Sequence, residues 1–137
     1  MEIEKSKFDF SLSEQDRQQI KQAILKWGKP EDVCTSFNGA RLYNHFEMWS
    51  QFGEMNWSTW DISEYDHDIG CRYWIQVCIE HSTPVTRLAL EKAVAESDSK
   101  FKAQMRTAKH PSILQVSPLS SHPYFWETQT IHPELAA

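Results

Sequence analysis

CRYWIQVCIEH, residues 71–81, is the stretch whose reading decides the fold. Its odd positions Tyr73, Ile75, Val77 and Ile79 are apolar and its even positions Arg72, Trp74, Gln76 and Glu80 more polar, a period of two that predicts a half-buried β-strand. The cluster Asp66 to Gly70 supplies the turn that leads into it. Further back, Met55 to Tyr65 reads as a second extended stretch, set off by Gly53. Asn38-Gly39 then sits between DVCTSF and ARLYNHFEM as a type I′ hairpin signal. Pairing Phe37 with Ala40, Thr35 with Leu42 and Val33 with Asn44 places Val33, Phe37, Ala40, Leu42, Phe46 and Met48 on one face, which favours the hairpin. A competing reading makes Leu42, Phe46 and Trp49 one stripe of a helix that ends at a Gly53 cap.

Helical signals flank this central region. Ser13 is a predicted N-cap, with Glu14 and Asp16 in the first turn, Ile20, Ala23, Ile24 and Trp27 at helical spacing, and Gly28 then Pro30 as stop signals. Thr83 and Pro84 open a long helix to about Lys109, with Leu90, Val94, Phe101, Met105 and Ala108 as its apolar stripe. Arg87 with Glu91 and Glu96 with Lys100 are its expected exposed pairs, and Ser97-Asp98-Ser99 marks a break. Residues 1–12 read as a loose arm or short edge strand. The tail from residue 110 holds Ile113 to Val116 and Tyr124 to Ile131, each suited to return to the sheet. All four glycines, Gly28, Gly39, Gly53 and Gly70, fall at predicted breaks. The expected fold over 1–137 is a single α+β domain: an antiparallel β-meander of about four strands, an N-terminal helix, and a long helix of the C-terminal half packed on one face.

The formal charge of -5 is unevenly distributed. Residues 31 to 81 carry nine acids and two bases, whereas each flank holds five acids and six bases. Between Leu42 and Cys71 there is no lysine or arginine at all. Aromatic residues able to stack on bases thus lie among carboxylates that repel phosphate, and direct nucleic acid binding is not expected. Three cysteines, Cys34, Cys71 and Cys78, show neither a CxxC pair nor an even count, and MEIEKSKFDF has no apolar signal core, so a reduced, cytoplasmic protein is expected. The longest uncharged stretch, His110 to Trp126, contains Pro111, Pro118 and Pro123 and cannot form a membrane helix.

His67-Asp68-Ile69-Gly70 resembles the HDIG signature of HD-class metal-dependent phosphohydrolases over four residues. In that family the pair lies in an all-helical metal site completed by further histidines and an aspartate, whereas a hairpin turn is expected here. Asp66, Asp68 and Gly70 echo the start of a calcium loop, but the third acid and the later glutamate are missing, leaving at most weak divalent binding by Glu64, Asp66, His67 and Asp68. His45, His67 and His81 with Cys71 or Cys78 lack the paired spacing of structural zinc, so no metal site and no cofactor are expected, and the thiols read as buried. No GxSxG or glycine-rich phosphate loop occurs. The His-Pro pairs at His110, His122 and His132 read as chain-direction markers.

What stands out is the acidic, tryptophan-rich middle. Trp49, Glu54, Trp57, Trp60, Asp61, Glu64, Tyr65, Asp66 and Asp68 form the expected partner-binding surface: aromatic residues anchor interfaces, and clustered carboxylates steer a basic partner. The expected function is that of a small acidic cytosolic binding protein that neutralises a basic protein partner. The profile resembles, in general character only, that of toxin-neutralising immunity proteins and phage-encoded nuclease inhibitors. The alternative is a small-ligand binder or enzyme whose aromatic pocket uses His45, His67 or carboxylate chemistry. A homodimer that fills its own aromatic surface is the third reading.

Overall fold

The computed structural model describes residues 12–28, 39–56, 61–107 and 129–136, the side chains at 39–43, 62–63, 66–67 and 135 excepted. Four helices dominate: α1 (Glu14–Lys26), α2 (Gly39–Phe52), α3 (Ile62–His81) and α4 (Pro84–Gln104). A two-residue antiparallel ladder joins β1 (Arg106–Thr107) to β2 (Gln129–Thr130), pairing Arg106 with Thr130 and Thr107 with Gln129, and a 3-10 turn follows at Pro133–Leu135. The expected four-strand meander is therefore corrected to a helical fold.

The flanking helices form where their capping signals lie. In α1 the Ser13 hydroxyl accepts from the Asp16 N–H at 3.1 Å while the Ser13 N–H donates to the Asp16 carboxylate at 3.1 Å, a complete capping box. Ile20, Ala23 and Ile24 form its buried stripe, and Gly28 takes the left-handed φ of 86° after the C-cap Trp27. In α4, Leu90, Val94, Ser97 and Phe101 are buried at helical spacing. Ser97-Asp98-Ser99 does not break α4; each residue has a helical role, and the Ser99 hydroxyl donates to the Ala95 carbonyl at 3.0 Å. The basic members of the expected exposed pairs also reach other partners, while Glu96 still acts on Lys100. Arg87 turns back to donate to the Ile79 and Glu80 carbonyls at 3.0 and 2.9 Å, and Lys100 pairs with Glu54 at 2.9 Å.

The central correction concerns CRYWIQVCIEH. It is the C-terminal half of α3, and α3 is packed by α1, α2 and α4. Tyr65, Ile69, Cys71, Arg72, Tyr73, Ile75, Val77, Cys78 and Ile79 are all buried, so nearly the whole circumference of the helix is covered. A helix covered on most of its sides carries apolar residues over a wide range of angles and shows no narrow 3.6-residue stripe. The alternation of Tyr73, Ile75, Val77 and Ile79 was a coincidence of one-sided counting: Arg72 and Cys78, on the nominally polar face, are equally buried.

Two further strand readings fail for related reasons. Gly39 opens α2 rather than closing a hairpin, and Phe46, Trp49 and Phe52 bury one face of that helix, as the competing helical reading required. The expected partner strand, residues 33–37, and Asn38 lie outside the described residues, as do the arm at 1–11 and the tail pieces 113–116 and 124–128. Met55 to Tyr65 is not one strand, because Ile62 to Tyr65 already belong to α3.

The core is aromatic where α2, α3 and α4 meet. Trp49 stacks on Phe52 and Phe101 at ring separations of 5.1 and 5.3 Å, and Phe52 meets Tyr65 at 5.1 Å. Tyr65 also anchors the C-terminal segment: its hydroxyl accepts from the Thr130 hydroxyl at 2.9 Å and the Ile131 N–H at 3.2 Å, and the buried His132 ring lies edge-on to it at 5.4 Å. Gly53 brings the end of α2 against the α4 backbone. A Cβ there would lie 3.0 Å from the Phe101 nitrogen and 3.1 Å from the Lys100 carbonyl carbon. Gly53→Ala must push two helices apart rather than bend a side chain, and a loss of about 1–3 kcal/mol is expected in urea denaturation. Gly70 is the contrast. It lies inside α3 with open space around its Cα, so Gly70→Ala should match or exceed wild-type stability.

Candidate functional site

The acidic surface is organised by the N-terminal end of α3. Asp61 precedes the helix, and its carbonyl accepts from the Tyr65 N–H at 3.2 Å. Glu64 follows in the first turn, and Asp68 lies one turn later. At 3.6 residues per turn, positions 61, 64 and 68 line one edge of the helix, directly beside the buried row of Tyr65, Ile69 and Arg72 that faces the core. Asp61 and Glu64 are exposed and Asp68 half-buried. Of these, Asp61 and Glu64, at the first turn, also interact favourably with the positive end of the helix dipole, by roughly 0.3–1 kcal/mol each. Glu54 is exposed in the turn after α2 and pairs with Lys100. Asp66 is helical, with its side chain outside the described residues.

The aromatic half of the expected surface is placed differently. Trp49 and Tyr65 are each 1% exposed and belong to the core, so neither can anchor a surface contact. The Trp49 indole N–H donates instead to Asp98 at 2.9 Å. Trp57 and Trp60 lie outside the described residues. Trp74 is half-buried between Trp27, at 5.0 Å, and His45, at 5.9 Å.

The motif readings change with the fold. His67-Asp68-Ile69-Gly70 lies within α3 and is helical rather than the expected turn. The ligand set is a separate matter: among the described residues no three His, Cys, Asp or Glu side chains come together as a metal site. The calcium-loop reading also falls, because in a helix positions 64, 66 and 68 fan out at about 100° per residue instead of wrapping one ion. Burial, followed by the charge of Asp68, pushes the Cys71 thiol up to about 12, and burial raises Cys78 as well. Both stay neutral thiols and are poor nucleophiles. His81 at the end of α3 is lowered, first by burial and then by Arg87 and Lys26, against an opposing pull from Glu80.

Two open grooves lie among the described residues. One, of about 380 Å³, runs between α3 and α4 past Arg72, Gln76, Glu91, Asp98 and Lys102. The other, of about 550 Å³, lies between α1 and the end of α3, beside Gln18, Gln22, Lys26, Glu80 and His81. Neither is lined by a phenylalanine, tyrosine or tryptophan, so neither matches the aromatic pocket of the alternative reading.

The strongest polar cluster went unread in the sequence. Arg72 is 4% exposed, and its guanidinium donates from Nε to Asp98 Oδ1 at 2.9 Å, from Nη2 to Asp98 Oδ2 at 3.0 Å and from Nη1 to Gln76 at 3.0 Å. The available signal was a lone arginine inside an apolar run, since a buried cation requires a carboxylate somewhere in the chain. No helix among the described residues is long and apolar enough to cross a membrane. No protein-family model, curated protein or solved structure matches the chain.

Proposed function

We propose that the chain is a binding protein that neutralises a basic protein partner through the acidic end of α3. The observation that supports this reading is the shared edge of Asp61, Glu64 and Asp68, two of them exposed, at the end of a helix whose own cation, Arg72, is already held by Asp98. Carboxylates arranged this way attract arginine and lysine side chains over a distance and fix the orientation of approach. In this reading they occupy the electropositive cleft in which the partner, a nuclease or toxin, would hold its anionic substrate. Trp57 and Trp60, within four residues before Asp61 in the sequence, are the anchors.

The test is a fourfold substitution, Asp61→Asn, Glu64→Gln, Asp66→Asn and Asp68→Asn. Host lysate passed over the immobilised wild-type chain should leave a basic protein bound, and the variant should lose it. With that partner purified, the association rate should fall at least about tenfold while the dissociation rate changes little, and added salt should produce the same pattern in the wild type. A variant that keeps its circular dichroism spectrum and every wild-type interaction would remove the electrostatic basis of the proposal.

A further inference from the structure

We propose that His81 is an acid-sensitive latch: protonation of its ring releases α1 from the elbow at which α3 turns into α4. His81 is the last residue of α3, and its Nε2 is shut off from water with no hydrogen-bond partner among the described residues. A neutral imidazole tolerates this, because it can carry its proton on Nδ1 and leave Nε2 a bare lone pair. An imidazolium must place an N–H at Nε2, where it becomes a buried donor without an acceptor.

A helix C-terminus ordinarily favours a cation, because its last four carbonyls lack partners within the helix. In α3 all four are already taken. The Ser82 hydroxyl donates to the Cys78 carbonyl, Arg87 to those of Ile79 and Glu80 at 3.0 and 2.9 Å, and the Gln19 amide of α1 to that of His81 at 2.8 Å. Burial disfavours the imidazolium most, Glu80 of the same helix favours it, and Arg87 of α4 and Lys26 of α1 disfavour it. The Asp16 carboxylate at the start of α1 is committed to Ser13, Thr83 and Thr86. Relief comes from α1, whose Gln18, Gln22 and Lys26 face Glu80 and His81 across an open groove. When α1 moves outward, water reaches Nε2, so protonation favours that arrangement. The closed chain binds this proton less readily than the unfolded one. The latch is therefore complete above the ordinary histidine value of 6.5 and weakens as pH falls below it, well before Asp16 titrates below 3.8.

The experiment compares amide hydrogen exchange in the full wild-type chain and in His81→Phe, whose ring fills the same space and cannot be protonated. For the amides of α1, the ratio of wild-type to variant exchange rates should rise at least about fivefold between about pH 8 and pH 5, the lower bound for leaving a buried donor unpaired. Taking the ratio at each pH removes the intrinsic pH dependence of exchange. The centre of α4, around Val94, should show no such rise. An NMR titration of the His81 ring in the wild-type chain alone should give a midpoint below 6.5, and it decides the matter even where the variant is unstable. A midpoint at or above 6.5, an unchanged ratio in α1, or an equal rise in α1 and α4 overturns the proposal. The outcome is independent of whether the acidic surface binds a basic protein.

Discussion

Asp98→Ala is expected to destabilise the protein by about 3–5 kcal/mol, read as a shift of the urea midpoint at unchanged slope. The Asp98 carboxylate receives two guanidinium bonds from Arg72 and the indole N–H of Trp49, so one side chain of α4 ties α2 and α3 together. Arg72 and Asp98 side chains are only 5% and 14% exposed. Removing the acid strands a desolvated cation and a buried indole donor at once. The loss measures those orphaned groups and not the net worth of the pair, which a second variant separates. Arg72→Met with Asp98→Leu removes both charges and should recover most of the stability, although the indole still lacks its acceptor. A cost below about 1 kcal/mol for Asp98→Ala would class the pair with ordinary surface bridges and contradict its burial.

Asp16→Ala should cost about 2–4 kcal/mol, because one buried carboxylate serves two helix starts. It completes the α1 capping box with Ser13, and it accepts from the Thr83 N–H at 2.8 Å and the Thr86 hydroxyl at 2.7 Å at the start of α4. Thr83 makes no side-chain cap of its own, so Asp16 serves in its place. Burial alone would raise this carboxyl, but the bonds from Thr83, Thr86 and Ser13 outweigh it and hold it well below the usual carboxylate range. The folded state therefore binds this proton less readily than the unfolded chain. Its contribution is complete above the ordinary aspartate value of 3.8 and is lost progressively as pH falls below it. Wild-type stability should drop over that acidic range, and Asp16→Ala should show a shallower drop. Parallel pH profiles for the two proteins would assign the acid sensitivity to other carboxylates.

Legibility in the sequence followed the range of the forces involved. The capping box of α1, the Pro84 start of α4 and the turn at Gly28 are local: each depends on residues within four positions and on backbone preferences present in the unfolded chain. The acidic end of α3 was legible as composition, since charge counts do not depend on the fold. Its form was not legible, because strand and helix assignments place Asp61, Glu64 and Asp68 on different faces. The anchors divided the same way. Trp49 and Tyr65 are typical interface residues by type, yet the stacking of Trp49 on Phe101 and the Tyr65 bond to Thr130 draw on residues 52 and 65 positions away.

By itself, then, the sequence determined where two helices begin, where the negative charge lies, and that the thiols have no paired partners in sequence. Only the tertiary structure decided that CRYWIQVCIEH is a helix and that Arg72, Asp98 and Asp16 hold the helices in register. The physical reason is burial. A helix packed by three others is buried around most of its circumference, which blurs the periodicity that would announce it. A buried charge is stabilised by whichever partner the fold brings within about 3 Å, a distance that no local spacing in the chain encodes.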